Sequence, residues 1–458
     1  VAALEIKSTG IPGMDEILGG GIGLPSTMII AGNPGTGRTT IGMQALCAAA
    51  KEGETVLYVG ITPKSTENLQ DIFSGYEFFD ERVNIHTFNI SSVERDPLTM
   101  LVELGNLVAS LNPDRIVIDP VTPIGFAFAE AERRRFIYSL NTAIGEWNAI
   151  VYLTGTMSTE DLCRSVITDI VDGVVYLSQN LGNRRSKRCI KIVKLSNSNY
   201  IPGEHAFDIS NSGMRIYPRI EPEIIESDWE IKKIKIGIPG LEEYVGGGIF
   251  ERSSTLIAGN IGTAKTLFGL QFIIEGALNG EPGIISCFEE TPRELRSYAS
   301  NFGVNLFDLE EKGLVKIIHT SPSEMNSCKH ALILRENLEN MNAKRILIDD
   351  ISAFDMMMDD INEKKGHIFN LIRLFKNKGV TSVLTDGNMA PGNDILQYEM
   401  PISSLVDNLL LLRNIEIEKE VRKVVTVLKV HGSIHEKHII SYDVDDNGIN
   451  IGPFIKDM

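Results

Sequence analysis

Ala258-Gly259-Asn260-Ile261-Gly262-Thr263-Ala264-Lys265-Thr266 is a glycine-rich run that closes on Lys-Thr. The run Ala31-Gly32-Asn33-Pro34-Gly35-Thr36-Gly37-Arg38-Thr39 has the same form, and Gly32 to Gly259 is a step of 227 residues. Upstream of it lie Thr9-Gly10-Ile11-Pro12-Gly13-Met14-Asp15-Glu16 and Gly19-Gly20-Gly21-Ile22. They return as Ile236-Gly237-Ile238-Pro239-Gly240-Leu241-Glu242-Glu243 and Gly246-Gly247-Gly248-Ile249, again 227 residues on from Gly10 to Gly237. One half of the chain is therefore present twice, each copy with its own candidate phosphate loop.

The loop pattern has a mechanical meaning. Its glycines let backbone N–H groups turn inward around phosphate oxygens, and the following helix adds its positive end. The Lys reaches the terminal phosphates, the hydroxyl that follows holds Mg²⁺, and an Asp at a nearby strand tip orients the hydrated metal. In the second half the nucleotide-binding candidates are Gly259, Asn260, Ile261, Gly262, Thr263, Ala264, Lys265, Thr266 and Leu267, with Thr266 and Asp349 toward the metal. Ala264 stands where the pattern has its second Gly. In the first half the candidates are Gly32, Asn33, Pro34, Gly35, Thr36, Gly37, Arg38, Thr39 and Thr40, with Thr39 and Asp119 toward the metal. Arg38 replaces the Lys; it keeps the charge but is planar and longer.

At 458 residues the chain exceeds a single core. The repeat divides it into domain 1 over residues 1–217, a charged Pro-containing linker over 218–228, and domain 2 over 229–458. Arg115-Ile116-Val117-Ile118-Asp119 and Arg345-Ile346-Leu347-Ile348-Asp349 are continuous apolar runs, the signature of central parallel strands buried on both faces. Strands are expected at Ser26–Ile30, Ser254–Ile257 and Leu409–Leu412, and helices from Thr39 and Thr266. Alternating strand and helix gives the α/β class, each domain a mostly parallel twisted sheet flanked by helices.

Hydrophobic residues make up 43% and charged residues 23%, an ordinary globular balance. No apolar run reaches the roughly 20 residues that cross a bilayer. The five cysteines are scattered, so reduced thiols in a cytoplasm are expected. A net charge of −17 argues against broad nucleic-acid binding, which needs Lys and Arg to displace counterions.

The strand after the first helix separates the halves. Ile284-Ile285-Ser286-Cys287-Phe288-Glu289-Glu290-Thr291-Pro292 carries two carboxylates at its tip. Aligned on Thr-Pro, Thr55-Val56-Leu57-Tyr58-Val59-Gly60-Ile61-Thr62-Pro63 sets Gly60-Ile61 against them. A carboxylate there takes a proton from an attacking water or hydroxyl.

These residues resemble the KaiC family of ATPases. Phe-Glu-Glu-Thr-Pro, then Lys429-Val430-His431-Gly432-Ser433-Ile434-His435 and Asp446-Asn447-Gly448-Ile449, are similar to the family's F-E-E-T-P, K-x-R-G-[ST]-x-H and D-x-G-I. The resemblance spans nearly the whole chain. It implies two tandem RecA-like P-loop domains and a homohexameric ring with ATP and Mg²⁺ between neighbours. It implies Glu289 or Glu290 as general base, Lys265 as a catalytic cation, and Phe302 beside the adenine. Lys429 and His431 would reach the neighbour's γ-phosphate, His431 standing where the family has Arg. Lys194 and Ser196 are the domain 1 counterparts. The family's clock members accept phosphate on a Ser-Thr pair; Ser403-Ser404 occupies that position, and Thr168-Asp169 its domain 1 counterpart. A regulatory protein partner is implied without being identified.

Three readings compete. The first is a ring ATPase working mainly in domain 2, with autophosphorylation at Ser403 or Ser404. The second is a nucleotide-gated oligomeric scaffold with little turnover. The third is a recombination ATPase of the wider RecA/RadA group, which the acidic charge disfavours.

Overall fold

The computed structural model describes residues 5–122, 130–181, 186–196, 198–220, 232–322, 326–358, 360–387, 402–417 and 419–455. The chain divides into two compact units, Val1–Arg219 and Ile220–Met458. Most of the expected linker lies outside the described residues.

Each unit carries one large sheet of the same topology. In the first, the strands Asn84–Phe88, Val56–Ile61, Arg115–Asp119, Ile150–Thr156, Ser26–Gly32 and Gly173–Leu181 lie side by side and parallel. In the second, the order is Val315–His319, Gly283–Cys287, Arg345–Asp349, Thr381–Asp386, Ser254–Gly259 and Asn408–Ile417. An antiparallel meander extends each sheet: Ser186–Leu195, Glu204–Ser210 and Gly213–Tyr217 in the first, and Glu420–Val430, Ile439–Asp445 and Gly448–Phe454 in the second. These are the mostly parallel, helix-flanked sheets of two RecA-like domains.

The central strands are apolar without interruption because both faces are covered. In the first unit Val117 packs under the loop helix Arg38–Lys51, while Ile116 and Ile118 face Pro97–Leu111 and Glu130–Gly145. In the second, Leu347 packs with Phe268 and Phe272 of the loop helix Lys265–Leu278. Ile346 and Ile348 face Ser327–Met341 and Ile361–Asn377. Both loop helices begin one residue before the expected Thr39 and Thr266, and both preceding strands run on to Gly32 and Gly259. The strand expected over Leu409–Leu412 lies in the first half of a longer one, Asn408–Ile417.

The repeated glycine motif is a docking device. Gly10 and Gly237 have φ of 69° and 88°, and a Cβ there would lie 2.1 Å from Ala48 Cβ and 2.5 Å from Glu275 Cβ on the loop helices. The first residue of each central strand ending in Asp is anchored too: Arg115 Nε meets Glu54 Oε2 at 2.6 Å and Arg345 Nε meets Glu281 Oε2 at 2.7 Å. Both arginines are buried, so the paired carboxylate offsets a charge that would be costly alone.

Candidate active site

Each loop leaves its strand, turns through glycine and enters a helix with no side chain capping its N-terminus. The first N–H groups of those helices are thus left for an anion. Thr36 Oγ1 donates to the Asn33 carbonyl at 2.8 Å, and Thr263 Oγ1 to the Asn260 carbonyl at 2.7 Å, tying each loop to itself. Gly35 and Gly262 share a φ near 80°, at 81° and 82°. Pro34 and Ile261 crest the loops and are exposed; Thr40 and Leu267 are half-buried behind them.

The family-like D-x-G-I turn supports this loop from behind. Ile449 N donates to Gln271 Oε1 at 3.0 Å, and Tyr442 Oη donates to the Thr263 carbonyl at 2.6 Å. Domain 1 repeats the clamp through Gln44, which accepts from Met214 N at 2.7 Å.

In domain 2 the Lys265 ammonium rests 3.4 Å from the Asn260 carbonyl. Thr266 Oγ1 donates to Glu290 Oε1 at 3.2 Å. Asp349 is buried; Thr385 Oγ1 donates to its Oδ1, while Oδ2 has no hydrogen-bond partner. Burial pushes the Asp349 carboxyl up to about 7; the Thr385 hydroxyl relieves part of this, and the charges of Glu290 and Asp350 add to it. A carboxylate oxygen without a partner, next to a hydroxyl and a second carboxylate, fits a hydrated divalent cation, which supplies the missing positive charge. Ala264 takes φ 62° at the helix start, where Gly37 takes 97°.

Domain 1 is built differently. Arg38 Nη1 donates to Thr156 Oγ1 at 2.8 Å, and burial pushes its guanidinium down against the opposing charge of Asp119. Both Asp119 oxygens are engaged: Thr154 Oγ1 donates to Oδ1 and Tyr58 Oη to Oδ2 at 2.6 Å.

Strand register corrects one alignment made on sequence. Gly60 pairs with Asp119, and Cys287 pairs with Asp349, so Gly60 is the counterpart of Cys287. Glu289 and Glu290 therefore face Thr62 and Pro63 across the repeat, not Gly60 and Ile61. The Thr-Pro match misled because in domain 1 the pair lies two residues nearer the strand and does not start the following helix. That helix is capped by Ser65, whereas Thr291 caps the helix in domain 2. Glu289 is exposed and Glu290 half-buried.

Lys429 and Lys194 stand at matching bulges, opposite Leu409 and Val174. Lys194 Nζ donates to the carbonyls of Val171, Asp169 and Thr168 at 2.7, 2.9 and 3.2 Å, which uses all three of its N–H groups. Lys429 Nζ holds the Val406 carbonyl at 2.6 Å and reaches Ser403 only at 3.5 Å. The His431 side chain is 73% exposed, with Nδ1 3.9 Å from Asp407 Oδ1. Ser196 N, like His431 N, bonds the carbonyl of the preceding turn's Asp, Asp172 and Asp407 in turn. Phe302 is half-buried just after the helix Pro292–Asn301. Ser403 is half-buried and Ser404 exposed on a turn before strand Asn408–Ile417.

Sequence reasoning missed Tyr58, Thr154 and Thr385. No motif marks them; only the parallel register brings their hydroxyls to the strand-tip Asp. The only available signal was their place in apolar strands, where a hydroxyl needs a partner.

Among the described residues no helix is long and apolar enough to cross a membrane. The family model for the KaiC ATPases matches residues 7–221 and again 234–455. The circadian clock protein KaiC3 of Synechocystis sp. is 27% identical over 471 residues, covering 98% of this chain and 92% of the relative. The circadian clock oscillator protein KaiC of Parathermosynechococcus lividus is 28% identical over 461 residues, 97% of this chain and 85% of the relative. With both repeats matched along nearly their full length, and each loop set on a RecA-like sheet, the chain belongs to the KaiC family and is an ATPase of that type.

Proposed function

We propose that ATP is hydrolysed chiefly at the domain 2 loop, with Glu290 as the general base. The supporting observation is the 3.2 Å contact from Thr266 Oγ1 to Glu290 Oε1, which sets a carboxylate beside the phosphate cradle. In this reading Glu290 accepts a proton from water as its oxygen attacks the γ-phosphorus. The bond to the β-phosphate oxygen breaks, and ADP and phosphate leave. Lys265 leaves the Asn260 carbonyl to follow the γ-phosphoryl group. Thr266 and Asp349 would hold Mg²⁺, which when bound neutralises charge on the β- and γ-oxygens. Glu289, exposed at the same connection, is the second candidate. Phe302 would stack on the adenine. Phosphate release by the Glu290→Gln chain tests the assignment; turnover equal to the parent would remove Glu290 from the mechanism.

We read the working unit as a homohexameric ring with each site completed by a neighbour. The loosely held Lys429 and the exposed His431 are the groups that would reach across. Domain 1 is read as the assembly tier, binding nucleotide with little turnover. Arg38 tied to Thr156, Lys194 saturated by carbonyls and Thr62-Pro63 in place of carboxylates favour this. Native mass spectrometry with and without ATP tests it through ring mass and retained nucleotide. Phosphoryl transfer to Ser404, the exposed member of the Ser403-Ser404 pair, is a further step of the same reading. A phosphoserine search after incubation with ATP decides it. A cytoplasmic location and a regulatory protein partner complete the reading.

A further inference from the structure

The two strand-tip aspartates differ in one donor. Thr154 and Thr385 are counterparts, since Thr154 pairs with Ile30 and Thr385 with Ile257, and each donates to Oδ1 of its Asp. The second oxygen is treated differently. Tyr58 pairs with Val117 two residues before Asp119, and Ile285 pairs with Leu347 two residues before Asp349. Ile285 has no donor, so Asp349 Oδ2 is left open. Tyr58 Oη fills the same place on Asp119 at 2.6 Å. Tyr58 is 2% exposed and its ring packs edge-on against Phe73, with centroids 5.3 Å apart, so the hydroxyl has little freedom to leave.

A metal-bound water donates a hydrogen bond to this carboxylate in a phosphate-loop site. In domain 1 the tyrosine hydroxyl already makes that bond. Positive charge is supplied there by Arg38, whose guanidinium stands at the strand end on Thr156 Oγ1 and feels the charge of Asp119. The site thus holds a fixed cation and a fixed donor where domain 2 holds an open carboxylate oxygen.

We infer that domain 1 takes its nucleotide without a divalent cation, with Tyr58 and Arg38 replacing the metal and its water. This rests on the reading of domain 1 as a nucleotide site. It gives the assembly tier a ligand whose retention does not follow free Mg²⁺, while domain 2 turns over only with the metal.

The test is binding of a fluorescent N-methylanthraniloyl-ATP to the full chain, in Mg²⁺ and in excess EDTA. In the Lys265→Ala chain, which leaves domain 1 as the binding site, Kd is expected to change by less than about threefold on chelation. In the Arg38→Ala chain, which leaves domain 2, it is expected to weaken by about tenfold or more. Tyr58→Phe on the Lys265→Ala background removes only the hydroxyl and keeps the buried ring. It is expected to make domain 1 binding metal-dependent, tightening by about tenfold when Mg²⁺ is added. A tenfold loss in EDTA with Tyr58 intact would overturn the inference. So would a Tyr58→Phe chain as indifferent to Mg²⁺ as its parent. If the Lys265→Ala chain binds in neither buffer, the nucleotide site itself is absent from domain 1 and the inference falls with it.

Discussion

The Thr266 hydroxyl donates to Oε1 of Glu290 across 3.2 Å, joining the phosphate loop to the connection beyond strand Gly283–Cys287. Of the paired carboxylates, only Glu290 has this contact with the loop hydroxyl among the described residues. Glu290→Gln keeps the shape and removes the base. Its kcat is expected to fall by about 10² to 10⁴, the usual worth of a general base. Glu289→Gln, at an exposed position, is expected to cost less than about tenfold. Steady-state phosphate release on both variants checks the order, and the reverse order would move the base to Glu289.

Lys429 makes one close contact, to the Val406 carbonyl, where Lys194 makes three. If Lys429 serves the neighbour's nucleotide, chains carrying Lys265→Ala and Lys429→Ala each fail alone. A mixture then assembles some interfaces with an intact Lys265 on one side and an intact Lys429 on the other. Turnover is expected to return in the mixture to about a quarter of the parent, the share of random interfaces that are intact. A mixture as inactive as its components would place Lys429 within its own subunit's structure.

Ala264 holds φ 62° at the start of the loop helix. Left-handed backbone costs a non-glycine residue roughly 1–2 kcal/mol. Ala264→Gly is therefore expected to stabilise domain 2 by about 0.5–1 kcal/mol after the greater entropy of the unfolded glycine chain is counted. The reverse change in domain 1 is more costly. A Cβ on Gly37 would lie 2.4 Å from Ile209 Cδ1, so Gly37→Ala adds a clash to the strain. Hydrogen exchange resolved by domain reads both effects, and a destabilised Ala264→Gly chain would contradict the strain argument.

The fold was legible where one residue type had one physical use. The apolar runs Ile116–Ile118 and Ile346–Ile348 fit only strands covered on both sides, and the glycines of the loops fit only a tight turn. The antiparallel meanders went unseen, because strands such as Glu204–Ser210 and Gly448–Phe454 mix exposed and buried residues, and the D-x-G-I motif marks only the turn into the last of them. The site was legible in its loops and strand-tip acids. It was not legible in the hydroxyls that face those acids, since Tyr58 and Asp119 are 61 residues apart and meet only through register. The Thr-Pro match failed for a related reason. Sequence identity suggested one alignment of the connection, and strand pairing with Asp119 and Asp349 imposed another.

A buried histidine pair sits beside strand Gly283–Cys287, which leads to Glu290. Ser286 Oγ lies 3.3 Å from His330 Nε2, and His330 Nδ1 lies 3.2 Å from His367 Nε2, with Phe288 and Phe354 around them. Burial holds His367 down at about 4 and His330 well below its ordinary range. Folding thus favours the neutral rings. The stabilisation is present above the unfolded value of 6.5 and is lost as pH falls from there toward about 4. By about pH 5 the His367 contribution alone amounts to a loss on the order of 2 kcal/mol. Protection of the amides in Gly283–Cys287 against hydrogen exchange is expected to drop over that window, and less so in His367→Gln. An equal acid loss in the variant would assign it to other groups.

The most direct measurement is phosphate release by the assembled chain carrying Lys265→Ala, beside the parent at saturating Mg-ATP. With domain 2 as the hydrolysing site, turnover is expected to fall by at least about a hundredfold while the oligomer still forms on domain 1. Turnover preserved within about twofold in an intact assembly would place the chemistry at the Arg38 loop instead and contradict the division of labour between the two halves.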